Sequence, residues 1–176
     1  MEQKDIRRAL ELSFVIVVAV AMLLYGIGKP IQFSNDSNNL KTIPELSGME
    51  LMWAFYGYSK TYPILLGIGE LGGALLLCLP RTRVLGCLLL TAILSNVIIQ
   101  DIVYGVNEGA LRAAVIYQVM IFAILWFNRA VLIQGIQNML IQKAAGETSR
   151  RNKVTIIAAS ILLALLFKAA EFYLTH

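Results

Sequence analysis

Five stretches of this chain stay apolar long enough to cross a bilayer: 12–28, 62–79, 84–103, 111–127 and 154–174. A bilayer core of roughly 30 Å takes about 17–25 helical residues. Inside lipid every backbone group has to be satisfied within its own segment, so each stretch is predicted helical. The expected fold is therefore all-α, a polytopic membrane helical bundle. It forms a single membrane domain over 1–176 with no room for a separate soluble one. Between the first two stretches, 34–39 (SNDSNN) reads as a polar loop. Ser47-Gly48-Met49-Glu50 then carries the S-x-x-E pattern of a capping box. It predicts a short interfacial helix over 47–56, too short to span, whose Trp53 and Tyr56 suit the membrane–water boundary. Residues 129–145 place Leu132, Ile136, Met139 and Leu140 on one face and Gln134, Gln137, Asn138 and Gln142 on the other. This amphipathic segment lies on the inner leaflet or prolongs the fourth span.

Composition narrows the class. Of 176 residues 58% are hydrophobic and 15% charged, against roughly 25% charged in an ordinary soluble domain. Disordered tails, coiled coils and most globular domains are excluded. The one histidine, His176, excludes a His-rich metal site, and Cys78 and Cys87 form neither a disulfide framework nor a CxxC pair. No metal, catalytic residue or nucleic-acid partner is expected. Lys4, Arg7 and Arg8 before the first stretch admit a signal-peptide reading, but Glu2, Asp5 and Glu11 dilute the charge and 25–29 makes a poor cleavage site. An uncleaved anchor is expected. Ten cations, among them Arg81, Arg83, Arg129, Arg150 and Arg151, fall on the N-terminal side of the bundle, against five on the other (Lys29, Lys41, Lys60, Arg112, Lys168). The positive-inside rule then predicts a multi-pass protein of the plasma (inner) membrane, its N-terminus cytoplasmic and its C-terminus outside.

Polar side chains within the stretches are the candidate chemistry, because a charge at the helix centre costs roughly 2.5–3.5 kcal/mol on insertion scales. At ~1.5 Å per residue, Glu70 and Asn96 each lie about 12 Å below the outer edge, Gln118 about 10 Å, Lys168 about 9 Å and Tyr25 about 8 Å. One hydrogen-bonding group per span reaches a common layer. Asn96, Gln118 and Tyr25 are expected to donate to Glu70, with Lys168 either its counter-ion or paired with Glu171 at i+3. Unpaired, Glu70 would be neutral. The alternative is a buried network that fixes helix register and holds no ligand. Nearer the surface, Lys29, Asp101, Gln100, Tyr104, Tyr58 and Trp53 are expected as a rim, with Lys29 and Asp101 as an ion pair. Gly69-x-x-x-Gly73 is a close-packing surface, for the bundle interior or for a homodimer.

Several of these residues also carry a family pattern. Gly26-x-x-Lys29, the run from Gly67 to Gly73 around Glu70, Pro80-Arg81-Thr82-Arg83-Val84-Leu85-Gly86, Asn96-Val97, Asp101 and Tyr104-Gly105-Val106 follow one another in order. Over residues 12 to about 128 the chain resembles the DoxX-like family of small integral membrane proteins. The resemblance implies a four-helix membrane core, to which the fifth C-terminal span and the segment before it are additions, and it carries over Lys29 and Glu70 as motif positions. It implies no settled reaction. The family name comes from a subunit associated with quinone-linked sulfur oxidation, other members are linked to oxidative-stress complexes, and the cysteines of related thiol-redox bundles are missing here.

Three functions remain in contention. The first is an accessory or ligand-binding subunit holding a quinone-like or lipidic molecule in the outer half of the bundle. Its candidate ligand-binding residues are Glu70, Asn96, Gln118, Tyr25, Lys29, Asp101, Trp53 and Tyr58. The second is a small proton-coupled transporter with Glu70 as the titrating group. The third is a structural or assembly partner of another membrane protein. An enzyme is least supported, since no nucleophile–base pair or metal ligand set is visible.

Overall fold

Helices in this chain begin and end where caps and turns dictate, and they run past the apolar stretches. The computed structural model describes residues 2–33, 42–140 and 150–175. The polar loop 34–39 and the end of the amphipathic segment, 141–145, lie outside them. The described residues are helical, with no strand: α1 (Gln3–Gln32), a 3₁₀ turn (Ile43–Glu45), α2 (Gly48–Gly57), α3 (Thr61–Cys78), α4 (Arg83–Tyr104), α5 (Glu108–Phe127), α6 (Arg129–Leu140) and α7 (Arg150–Thr175). Five of these, α1, α3, α4, α5 and the 154–171 part of α7, are long and apolar enough to cross a membrane. The chain divides into two compact units, Met1–Gln134 and Gly135–His176.

In the first unit α1 packs on α3, α3 on α4, α4 on α5 and α5 back on α1. This closed ring of four helices is covered at one end by α2, which touches α3 and α4. Large apolar side chains such as Leu24, Ile27, Leu65, Ile68, Ile102 and Val119 point outward. Glu70, Asp101 and Gln118 are buried inside. Polar inside and apolar outside is the arrangement that a hydrocarbon solvent favours.

The end of the ring at the α3–α4 turn is solid. Val18, Met22, Leu77, Cys87, Leu90, Ile121 and Ile124 are almost wholly buried there. Thr82 Oγ1 donates to the Leu76 carbonyl at 2.9 Å and Arg83 Nε to that of Leu77 at 3.3 Å, supplying partners to carbonyls that the end of α3 leaves open. Arg83 Nη1 also meets Glu11 Oε1 at 2.7 Å, and Asn128 Nδ2 donates to the same oxygen at 2.8 Å. Through this network the first helix extends beyond its apolar stretch. Helix α1 begins nine residues before the apolar stretch, because Glu11 and Arg7 have partners on α4 and α5. Arg7 reaches the Phe127 carbonyl.

At the other end, caps set the geometry. Ser47 Oγ accepts from the Glu50 amide at 3.2 Å, and Glu50 Oε2 accepts from the Ser47 amide at 2.8 Å, completing the capping box read from the sequence. Asn107 Oδ1 accepts from the Gly109 and Ala110 amides and starts α5. Gly105, at φ 57°, ends α4 in the left-handed conformation that glycine adopts without penalty. Replacing Ser47 with alanine is expected to cost about 1 kcal/mol of stability, read as a lowered melting temperature in detergent.

In the second unit, α7 carries Lys168, whose ammonium donates to both carboxylate oxygens of Glu171 at 2.9 and 2.8 Å. Of the two partners expected for Lys168, the i+3 glutamate is the one it takes.

Candidate functional site

Helical periodicity brings the site together. Residues three or four apart share a face. Met22, Tyr25 and Lys29 of α1, Leu66 and Glu70 of α3, Ile93, Asn96, Gln100 and Asp101 of α4, and Ala110, Ala114 and Tyr117 of α5 are four such faces turned toward one another. Between them lies a cavity of about 530 Å³, with Met49, Met52, Trp53 and Tyr56 of α2 along its wall. That volume falls within the usual few-hundred to thousand Å³ of a small-molecule site.

The charge at its centre is a buried ion pair. Lys29 Nζ stands 3.1 Å from Glu70 Oε1, with the two side chains 14% and 4% exposed. The same ammonium lies 6.0 Å from the centre of the Phe33 ring. The pairing follows from a close backbone crossing. A Cβ on Gly26 would lie 2.9 Å from the Gly67 carbonyl oxygen, and one on Gly67 would collide with the Gly26 carbonyl oxygen. Only glycines let α1 and α3 approach so closely, and Lys29 and Glu70 each sit three residues past that crossing.

This corrects the expectation that Lys29 pairs with Asp101. Asp101 is buried, and its side chain makes no ion pair among the described residues. Asn96 and Gln118 do not donate to Glu70 either. Tyr56 Oη donates to Gln100 Oε1, and Gln100 Nε2 to Asn96 Oδ1, both at 2.6 Å. This ladder runs along α4 from the mouth inward. Gln118 turns away to Thr91, its amide donating to Oγ1 at 3.2 Å. Glu70 Oε2, Asp101 Oδ2 and Gln118 Oε1 are buried without a protein hydrogen-bond partner among the described residues. Burial pushes the Tyr56 phenol up, with Asp101 and Glu70 among the groups reinforcing it and the Gln100 hydrogen bond opposing. Tyr56 is thus a donor at neutral pH.

Of the residues expected from the sequence, Tyr25, Lys29, Trp53, Glu70, Asn96 and Asp101 line the cavity. Gln118 does not, and Tyr58 is 94% exposed. Tyr56 and Tyr58 are two residues apart, about 200° around a helix, so both cannot face inward. Sequence reasoning drew the aromatic wall from the Trp53–Tyr58 segment alone and missed Phe33, Tyr62 and Tyr117. Phe33 stacks on Tyr56 with ring centres 4.7 Å apart, Tyr56 on Tyr62 at 5.6 Å, and Trp53 meets Phe33 edge-on at 5.2 Å. Deeper in, Tyr25 meets Tyr117 at 6.2 Å. Tyr117 and Tyr62 were discernible as aromatics on the cavity faces of α5 and α3. Phe33, just beyond the last turn of α1, carried no such cue.

Cys78 is exposed and Cys87 buried, both free. No cluster of metal-ligating side chains occurs among the described residues.

No family model matches the chain, and no solved structure matches it. It is 30% identical over 129 residues to the uncharacterized protein YwoB of Bacillus subtilis strain 168, an alignment spanning 72% of this chain and 82% of that protein. A likeness of that extent over most of both proteins makes this chain a member of the YwoB family.

Proposed function

We propose that this chain is a ligand-binding protein of the inner membrane, DoxX-like in kind. It holds a quinone-like or lipidic molecule in the outer half of its bundle. The observation that carries this reading is a cavity of about 530 Å³ into which a buried ion pair and a second carboxylate project. Leaving a buried polar atom unsatisfied costs about 1–3 kcal/mol. A bundle built only for packing would have filled this space with the leucines that fill its other half. The aromatic wall supplies the apolar surface such a ligand needs, and Glu70 and Asp101 supply the polar anchor. With the cations gathered at the opposite end, the cavity faces outward. The transporter reading is weaker, because the packed layer of Val18, Leu77, Leu90, Ile121 and Ile124 closes the path to the other side.

Trp53 offers a direct test. It lines the cavity, and the only other tryptophan, Trp126, sits at the far end of α5. In a Trp126→Phe protein, 11-bromoundecanol is expected to quench Trp53 emission saturably, at lower concentration than it quenches Trp126 in a Trp53→Phe control. Adding Ala114→Phe, which projects a ring into the cavity, is expected to weaken Trp53 quenching about tenfold or more, the loss of about 1.4 kcal/mol. Quenching that does not saturate and ignores Ala114→Phe would refute the reading.

A further inference from the structure

We infer that the cavity selects a ligand with a positively charged amine head group. The inference rests on the cavity being a ligand site, and it narrows the quinone-like or lipidic ligand proposed above to a lipidic one with an amine head.

Among the described residues lining the cavity, the charged groups are Lys29, Glu70 and Asp101. Lys29 is already engaged on two sides, by Glu70 Oε1 at 3.1 Å and by the Phe33 ring. With all three ionised, one negative charge is left over. Of the three buried oxygens without a hydrogen-bond partner among the described residues, the two that face this cavity, Glu70 Oε2 and Asp101 Oδ2, belong to its carboxylates, and both residues are more than nine-tenths buried. An ionised carboxylate only accepts hydrogen bonds, so what these oxygens lack is donors. A head group bearing only carbonyls offers none. An alkylammonium offers three N–H donors and the compensating charge.

The wall fits the same chemistry. Phe33, Trp53, Tyr56, Tyr62, Tyr25 and Tyr117 all line the cavity, and aromatic faces attract an organic cation, the more strongly where water is excluded. One amide on the wall, that of Gln100, is already spent on Asn96. With carboxylate oxygens that lack donors and an aromatic wall, the chamber is complementary to an amphiphilic monocation.

Calorimetric titration of the full chain in decyl maltoside tests this with four probes of equal chain length: hexylammonium, hexan-2-one, hexanoate and dihexanoylphosphatidylethanolamine. Hexylammonium is expected to bind about tenfold or more tighter than hexan-2-one, and hexanoate weakest. D101N, which leaves the Lys29–Glu70 pair in place, is expected to remove most of that preference, and E70Q to reduce it. If E70Q does not fold, D101N alone decides the matter. Phosphatidylethanolamine carries the same ammonium on a lipid, so its binding as tightly as hexylammonium supports a membrane-lipid source, and weaker binding supports a free amine. Hexan-2-one bound as well as hexylammonium, or a preference untouched by D101N, would overturn the charge selectivity while bromoundecanol quenching of Trp53 still upholds the cavity. Failure of every probe together with absence of that quenching would take down the cavity reading itself.

Discussion

Replacing Glu70 with alanine is expected to lower the stability of the bundle by about 3–5 kcal/mol, the usual loss when one member of a buried ion pair is removed. The reason is what remains. Lys29 is 14% exposed and its ammonium has Glu70 as its ion-pair partner. Without it a full charge stands beside the Phe33 ring, with Asp101 the remaining carboxylate of the cavity. Glutamine at the same position keeps a carbonyl oxygen near Nζ and is expected to cost less than alanine. Removing both charges with Lys29→Met and Glu70→Ala is expected to recover a large part of the loss, because the pair is expensive mainly when it is broken. Thermal unfolding of the three variants in one detergent gives the comparison. A double variant no more stable than Glu70→Ala would mean that the pair is not what holds α1 to α3.

The second large effect lies at the crossing of those helices. Gly67→Val is expected to destabilise the protein by about 1–3 kcal/mol or more, the range for forcing extra atoms into a closed contact. Its Cβ would meet the Gly26 carbonyl oxygen, a backbone atom that cannot swing aside as a side chain can. Gly72, at which an added Cβ would meet nothing within 4 Å, is the control. Gly72→Ala is expected to leave melting unchanged or raise it slightly, since alanine is the better helix former. Loss of equal size at Gly67 and Gly72 would argue that the crossing is looser than described.

The spans were legible because lipid imposes one rule on each of them, an apolar stretch of fixed length. The capping box at Ser47 was legible for a similar reason, being a local pattern with a local partner. Height along the helices was legible in part, since the rise per residue is constant, and Tyr25, Glu70 and Asn96, placed in one layer, do line one cavity. Depth is one coordinate, however, and pairing needs the angle around the helix axis as well. That angle is set by the Gly26–Gly67 crossing, a contact between residues 41 positions apart. Height alone matched Lys29 with Asp101; the crossing turns Lys29 to Glu70 instead. The same missing angle put Gln118 on the cavity, although its neighbour Tyr117 occupies that face and Gln118 is rotated to Thr91. The head of α1 was not legible because a hydropathy stretch marks where lipid begins and ends, and Glu11 continues the helix on Arg83 of α4 and Asn128 just past α5.

Native mass spectrometry of the full chain, released gently from detergent, measures occupancy of the cavity without choosing a probe. One small amphiphile per chain on the unaltered protein, lost from Ala114→Phe at unchanged melting temperature, is the predicted result. A bare mass for the unaltered protein at every release energy, or an adduct equally abundant on Ala114→Phe, would contradict the proposal that the chamber around Lys29 and Glu70 holds a ligand.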